Sequence, residues 1–121
     1  MIKGVGTDIC DIRRIAKVYG KYGEKFVRKL LTAEEYPKNG KITPSFLAKR
    51  FAAKEAVVKA LGVAFTDGLF LKDVMIIKND LGAPYVNLSA KAKARVGNDV
   101  LIHLSLSDEK DYALAFAIAQ I

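Results

Sequence analysis

Residues 43–62 constrain the fold of this chain more than any other segment, because they carry a helix start signal, a helical pattern and a stop signal in order. Thr43 is a typical N-cap residue, Pro44 suits the first helical position, and Gly62 is a typical C-terminal stop. At 100° per residue, the large apolar side chains between them fall within about 80° of arc, as a core-facing stripe would: Leu47, Phe51, Val58 and Leu61. The segment predicts one long amphipathic helix.

Three charged residues interrupt this helical pattern. Lys54 falls inside the apolar stripe, while Glu55 and Lys59 lie one turn apart on its shoulder. A carboxylate and two lysines at the edge of a buried face can hold a divalent cation and a phosphate group together. The simpler interpretation is an i,i+4 salt bridge on a solvated face, worth a few tenths of a kcal/mol. Spacing alone favours that simpler interpretation.

Composition restricts the class of protein. A length of 121 residues suits a single core, so residues 1–121 are expected to form one domain. The first residues lack the apolar segment of a signal peptide, and no uncharged apolar run reaches the roughly 18–20 residues of a membrane span. The single cysteine, Cys10, cannot form an internal disulfide, which agrees with a reducing compartment. We therefore expect a cytoplasmic protein with no membrane partner.

The formal net charge of +7 is concentrated in the first half of the chain. Residues 1–60 contain 14 basic and 6 acidic residues, whereas residues 61–121 contain 6 and 7. Five basic residues of the first half are spaced by three or four positions: Arg14, Lys17, Lys21, Lys25 and Arg28. They form one ridge if the helix is continuous, or two adjoining patches if Gly20 and Gly23 break it. This asymmetry favours an anionic partner, although a solvated helix face is the simpler interpretation.

The remaining pattern predicts an α+β fold, a single domain of helices packed on an antiparallel sheet. Before the long helix we expect a strand, two helices and a short helix opened by a capping-box sequence, at residues 2–10, 11–19, 26–31 and 32–35. After it we expect two hairpins separated by a brief helix, at residues 70–78 with 85–88, 89–96, and 100–106 with 112–118.

Two further groups of polar residues are candidates for chemistry. Asp8 ends the first strand; it is interpreted as a cap of the next helix or as a metal ligand, and Asp11 is the better cap candidate. His103 and Ser107 lie on one side of a predicted strand, because strand side chains alternate. A lone histidine is more often structural than catalytic, so the structural interpretation of His103 is favoured.

Taken together, three segments resemble holo-[acyl-carrier-protein] synthase, the short bacterial type of 4′-phosphopantetheinyl transferase. They are residues 4–9 (GVGTDI), residues 51–62 (FAAKEAVVKALG) and residues 103–107 (HLSLS) before Tyr112-Ala113. The resemblance covers essentially the whole chain in the right order and at the right length. It therefore reverses the preference for a simple Glu55–Lys59 salt bridge.

The resemblance implies an activity and a site. The family moves 4′-phosphopantetheine from coenzyme A to a serine of apo acyl carrier protein, releases adenosine 3′,5′-bisphosphate and supports fatty acid biosynthesis. Asp8 and Glu55 match its Mg²⁺ ligands, and Lys59 matches a catalytic lysine that contacts the phosphates. The nearest candidates for the remaining contacts with coenzyme A are Arg50, Lys54, Gly62 and Ser107. Either a carboxylate or a metal-bound water must take the serine proton.

The resemblance also implies partners. Family members dock an acidic carrier protein on the first helix, where Arg14 matches directly and Lys21, Lys25 and Arg28 match approximately. Family members are homotrimers with active sites between protomers. The last strand carries an all-alanine face, which suits either close packing between protomers or a helix packed on the sheet: Ala113, Ala115, Ala117 and Ala119.

Two positions depart from the family, and one rival function is open. Val63-Ala64 stands where many members have a glycine two residues after Gly62, and Asp108 stands where many have histidine. A carboxylate at position 108 would repel a nucleotide phosphate. The alternative function is a small basic nucleic-acid-binding module. Against it, the chain shows no exposed aromatic run interleaved with basic residues and no zinc-finger spacing, so no nucleic acid partner is expected.

Overall fold

The computed structural model describes residues 1–66 and 68–121. Its strands are β1 (Ile2–Asp11), β2 (Val74–Lys78), β3 (Pro84–Leu88), β4 (Leu101–Asp108) and β5 (Tyr112–Gln120). Its α-helices are α1 (Ile12–Tyr22), α2 (Glu24–Leu30), α3 (Pro44–Leu61) and α4 (Ala90–Val96), and two short 3₁₀ helices span Ala33–Glu35 and Leu71–Asp73. No helix in these two ranges is both long enough and apolar enough to span a bilayer.

The strands form a three-stranded antiparallel sheet in the order β1-β5-β4 and a separate β2-β3 hairpin. Strands β1 and β5 are paired although they lie at opposite ends of the sequence, with Gly6 opposite Ala117 and Asp8 opposite Ala115. Helices therefore pack on antiparallel strands, and the α+β fold class predicted from the sequence is confirmed.

The long helix α3 lies across the inner face of the three-stranded sheet, packed mainly on β1 and β5. Its predicted bounds are confirmed: the Thr43 side chain accepts a hydrogen bond from the Phe46 backbone, and Gly62 ends the helix with a left-handed φ of 76°. The predicted stripe does face the core, since Leu47, Val58 and Leu61 are buried and Phe51 packs against the core. The helix is not amphipathic, however, because α3 is buried on nearly all sides between the sheet, α1, α2 and β2. Alanines on this helix supply contact surface that a search for large apolar side chains does not detect.

Two glycines of β1 allow α3 to approach the sheet closely. A Cβ atom at Gly6 would lie 2.8 Å from the Ala60 backbone nitrogen and 2.9 Å from the Lys59 Cβ, and would also collide with the Ala56 carbonyl oxygen. A Cβ at Gly4 would collide with the Ala60 carbonyl oxygen. On the adjacent strand only methyl groups face the helix, since the four alanines of β5 are fully buried on this side. The helix-packing interpretation of the alanine face is therefore the correct one for this chain.

Other local predictions hold with shifted bounds. Asp11 caps α1, because its side chain accepts a hydrogen bond from the Arg13 backbone. The Thr32–Glu35 capping box is present, with the Thr32 backbone nitrogen 2.9 Å from Glu35 Oε1. The strand expected from residue 70 begins only at Val74, because Leu71–Asp73 forms a 3₁₀ turn whose Asp73 accepts a hydrogen bond from the Phe70 backbone.

The outer face of the three-stranded sheet is apolar and exposed. The register aligns Val5 with Ile118, and Ile9 with Leu114, on the side away from α3. Five of the large apolar side chains on this face are 40–63% exposed: Val5, Ile9, Leu101, Leu114 and Phe116. A contiguous apolar surface of this kind is typical of a protein–protein interface.

The glycine-dependent approach of α3 to β1 can be tested by adding one methyl group. Gly6→Ala must push α3 away from β1, so we expect a loss of about 1–3 kcal/mol in the free energy of unfolding, measured by urea denaturation. Gly20→Ala is the matched control, because a Cβ there meets nothing within 4 Å inside α1. Alanine favours a helix over glycine by roughly 0.5–1 kcal/mol, so the control should be neutral or slightly stabilised. Equal stability of both variants would contradict the steric account.

Candidate active site

Three of the predicted site residues come together where α3 crosses β1. Lys59 Nζ lies 3.2 Å from Asp8 Oδ1 and donates a second hydrogen bond, of 3.0 Å, to the Thr7 carbonyl oxygen. The Asp8 side chain is 18% exposed and that of Lys59 is 53% exposed, so the pair lies at the edge of the core and is open to a ligand. Glu55 is half-buried one helical turn before Lys59, with its charge close enough to act on both partners.

The electrostatics of Glu55 suit a cation. Partial burial and the neighbouring negative charge of Asp8 raise the pKa of Glu55 above its ordinary value, and Lys59 opposes this shift. Two carboxylates held near each other repel, and a divalent cation would relieve that repulsion. Among the described residues, no group of three or more acidic, histidine or cysteine side chains is placed to hold a metal ion. Two carboxylates alone suit Mg²⁺, which keeps several waters and takes its remaining ligands from substrate phosphates.

Lys54 does not join this group, and its predicted contact with coenzyme A is corrected. Its side chain is fully buried, and its ammonium group donates to Glu35 Oε1 at 2.9 Å, to the Leu71 carbonyl oxygen at 3.0 Å and to the Leu30 carbonyl oxygen. An ammonium with three protein acceptors has no donor left for a ligand phosphate. Lys54 is therefore a core residue that joins α3 to the segments around it.

Arg50 lies on a different side of α3 from Glu55 and Lys59, at the wall of a groove of about 640 Å³. The groove lies between the loop before α3, the first turns of α3 and the β2-β3 hairpin, and four of its lining residues are lysines: Lys38, Lys41, Lys49 and Lys78. Sequence reasoning included Arg50 and missed these four. In the sequence, the one indication of a larger basic site is that Lys49 directly precedes Arg50.

The remaining predicted residues near the ligand are not brought to the Asp8 group within one chain. Gly62 is the exposed C-cap of α3. Ser107 is paired opposite Leu114 and points to the outer face of the sheet, whereas Asp8 lies on the inner face. Asp108 lies 3.6 Å from the Lys49 ammonium and accepts a hydrogen bond from Ser45, so two groups at the start of α3 partly offset its negative charge.

His103 also lies on the outer face of the sheet, away from the carboxylates. Its Nε2 is 2.7 Å from the Gln120 side-chain oxygen. This partner agrees with the structural interpretation of the histidine.

The predicted docking residues are all exposed, but they lie on two helices. The chain turns at Gly23, with a φ of 56°, while Gly20 stays within α1. Arg14 and Lys21 belong to α1, and Lys25 and Arg28 belong to α2, so the basic series forms two adjoining patches. Arg14 lies near the end of β1 that carries Asp8, because both charges act on the Cys10 thiol. Burial raises the pKa of this thiol; the charge of Arg14 opposes the shift and that of Asp8 adds to it.

The chain is similar to one family of known proteins along nearly its whole length. Residues 4–117 match the family model of the 4′-phosphopantetheinyl transferase superfamily. A holo-[acyl-carrier-protein] synthase from Wolbachia pipientis is 46% identical over 123 aligned positions, which cover 98% of this chain and 97% of the relative. The crystal structure of holo-[acyl-carrier-protein] synthase from Neisseria meningitidis has a TM-score of 0.88 at 38% identity and covers 100% of both chains. The Helicobacter pylori enzyme in complex with coenzyme A has a TM-score of 0.86 at 30% identity, with 96% of this chain and 99% of that chain covered.

The repulsion at the carboxylate pair can be tested through stability. Below the ordinary pKa of Glu55 both folded and unfolded chains hold the proton, so the raised pKa costs nothing; as pH rises through the folded-state pKa the cost becomes complete. At pH 8 without divalent metal, Glu55→Gln should therefore have a higher Tm than the unchanged protein, and the difference should vanish near pH 3. Mg²⁺ should raise the Tm of the unchanged protein more than that of Glu55→Gln. A lower Tm for the variant at pH 8 would contradict the repulsion.

Proposed function

This chain belongs to the 4′-phosphopantetheinyl transferase superfamily, and we propose that it transfers 4′-phosphopantetheine from coenzyme A to a serine of apo acyl carrier protein. In this reaction the serine oxygen forms a bond to the β-phosphorus of coenzyme A. The bond from that phosphorus to the bridging pyrophosphate oxygen breaks, and adenosine 3′,5′-bisphosphate leaves. Curated relatives named holo-[acyl-carrier-protein] synthase, and relatives solved with coenzyme A, support this assignment.

The observation that carries the proposal is the grouping of Asp8, Glu55 and Lys59. A pyrophosphate is densely negative, so its transfer depends on neutralising charge as the bond to the leaving group breaks. Asp8 and Glu55 would hold Mg²⁺, which when bound would offset the charge of the pyrophosphate oxygens. Lys59 brings an ammonium group to the same point, where it forms an ion pair with Asp8. With substrate bound, Lys59 would stabilise the developing charge on the leaving phosphate.

The basic groove supports binding of the nucleotide part of coenzyme A. Arg50 is a predicted substrate residue, and Lys41 and Lys49 add positive charge to the same groove. The groove and the Asp8 group lie on different sides of α3, so they are separate within a single chain. We propose that a second copy of the chain brings the two together. Gly62 and Ser107, which also lie outside the Asp8 group, would then contact coenzyme A at such a shared site.

The outer sheet face is the proposed surface for self-association into the homotrimer implied by the resemblance. Exposed apolar side chains of β1, β4 and β5 lie on it, and Ser107 lies on the same face. Burying this face between copies would remove apolar surface from water and would place Ser107 at the boundary between protomers.

The basic patches of α1 and α2 are the proposed dock for acyl carrier protein. Arg14, Lys21, Lys25 and Arg28 are exposed, and Arg14 lies near the chain segment that carries Asp8. An acidic helical partner is complementary to this surface. The same positive charge motivated the nucleic-acid alternative, which the family assignment does not favour. The proposed role is in fatty acid biosynthesis in the cytoplasm.

The direct test is mass spectrometry of apo acyl carrier protein incubated with the protein, coenzyme A and Mg²⁺. We expect a mass increase of one phosphopantetheine per carrier and release of adenosine 3′,5′-bisphosphate, with no reaction when a chelator removes Mg²⁺. An unmodified carrier under all conditions, together with salt-sensitive RNA binding, would favour the alternative function.

Lys59→Ala should lower kcat by roughly 10²–10³-fold while changing the KM for coenzyme A much less, since its proposed role is to stabilise charge in the transition state. Steady-state kinetics with coenzyme A as the varied substrate measure both values. Lys110→Ala is the control, because it removes an exposed lysine from the turn between β4 and β5. A rise in KM at unchanged kcat would assign Lys59 to ground-state binding alone.

Carrier docking should respond to charge reversal and to salt. Arg14→Glu should raise the KM for apo carrier and leave coenzyme A affinity unchanged, with a modest effect since exposed pairs contribute roughly 0–1 kcal/mol each. Arg14→Glu/Lys21→Glu should show a larger effect. Rising salt should raise the same KM, because the Debye length falls from ~10 Å at 0.1 M to ~3 Å at 1 M. Lys93→Glu on α4 is the control; a carrier KM equally affected by it would contradict a dock on α1 and α2.

A further inference from the structure

A buried charge cluster beneath the basic groove contains one carboxylate and two cations: Glu35, Lys54 and Arg50. The side chains of Glu35 and Lys54 are completely buried, and the residue Arg50 is 6% exposed. Arg50 and Lys54 lie one turn apart on α3, so their side chains are neighbours on the same side of the helix. Counted as ions, the three groups leave one positive charge without a partner in the protein.

The carboxylate of Glu35 is fully engaged, with Lys54 as its ionic partner. Oε1 accepts from Lys54 Nζ and from the Thr32 backbone, each at 2.9 Å, and from the Thr32 hydroxyl at 3.2 Å. Oε2 accepts from the Ile76 backbone at 3.0 Å. This arrangement ties together α3, the 3₁₀ turn before it and strand β2. It leaves little acceptor capacity for Arg50.

Arg50 is the cation that lacks a partner. Its Nε is buried and makes no hydrogen bond, and its guanidinium lies over the Phe46 ring, 4.6 Å from the centroid. Within residues 1–66 and 68–121, no carboxylate lies within 4.0 Å of its guanidinium nitrogens. Burial lowers the pKa of Arg50 and only the charge of Glu35 opposes this, so the guanidinium is held at the groove in an environment that an anion would improve.

We propose that Lys54 is a positioning residue which, by occupying Glu35, keeps Arg50 available for a phosphate group of the substrate. This inference rests on the proposed function, in which the nucleotide part of coenzyme A binds in the groove. A guanidinium forms paired, charge-assisted hydrogen bonds to phosphate, but only if a protein carboxylate has not already taken them. Glu35 is also the carboxylate whose charge acts on Arg50, so without the Lys54 ammonium the two would pair.

The test compares the affinity for adenosine 3′,5′-bisphosphate, measured by calorimetry, in three forms of the protein. Lys54→Met keeps the length and volume of the side chain without the charge. It should weaken binding by roughly 10- to 100-fold, the range of one hydrogen bond to a charged group, although Lys54 itself makes no contact with the ligand. Lys54→Met/Glu35→Gln should restore affinity to within a few-fold of the unchanged protein, since Arg50 is again without a carboxylate. Gln keeps an acceptor for the capping box.

A purely structural role for Lys54 gives a different result. In that case the double variant, which loses the whole ion pair, would bind no better than Lys54→Met, and the proposal would be overturned. Unchanged affinity in Lys54→Met would also overturn it. If Lys54→Met does not fold, the double variant decides alone: affinity close to that of the unchanged protein supports the proposal, and weak binding by the folded double variant rejects it.

Adding Arg50→Met provides an internal check. In that background Lys54→Met should have no further effect on affinity, because the group through which it acts is absent. A different result would reject the proposed function itself: the unchanged protein would neither bind adenosine 3′,5′-bisphosphate nor modify apo carrier protein.

Discussion

The close contact between α3 and β1 is the constraint on which the rest of the structure depends. Glycines at positions 4 and 6 let the helix backbone lie directly against the strand. A Cβ atom at either position would collide with the backbone of α3. Asp8 follows two residues after Gly6 on the same face, and Lys59 lies against Gly6 on the helix. The same contact that closes the core therefore brings the carboxylate of the strand to the carboxylate and ammonium of the helix.

Two features of the site oppose stability in the absence of a ligand. Glu55 is partly desolvated and repelled by Asp8, and Arg50 is buried with an unpaired Nε. A chain selected only for stability would replace these groups by apolar residues or complete their pairing. In the proposed function both would become favourable, because a divalent cation would bind the carboxylates and a substrate phosphate would pair with Arg50. The buried carboxylate nearby has its hydrogen-bonding partners, since Glu35 accepts four hydrogen bonds.

Local signals predicted local structure well. The Thr43 cap with Pro44, the Gly62 stop, the Asp11 cap and the Thr32–Glu35 box each depend on a few neighbouring residues, and each is present. The family resemblance, confirmed by the comparisons, placed Asp8 beside Glu55 and Lys59 because it carries information about long-range contacts that no periodicity contains. The pairing of β1 with β5 is such a contact.

What could not be predicted depends on burial and on partners distant in sequence. The sequence assigns Lys54 to a phosphate because, together with Arg50, it is a candidate cation near Glu55 and Lys59. Its partner is Glu35, 19 positions earlier in the chain. Helix α3 was expected to be amphipathic because alanine carries a weak apolar signal, yet small side chains are what allow neighbours to surround it.

The most direct measurement is a crystal structure of the protein with coenzyme A and Mg²⁺. We predict one metal ion held by the carboxylates of Asp8 and Glu55, with Lys59 moved from Asp8 to a phosphate oxygen. Arg50 of a second copy of the chain should contact another phosphate of the same ligand. Coenzyme A bound elsewhere, or bound with the Asp8–Lys59 ion pair intact and no metal at these carboxylates, would contradict it.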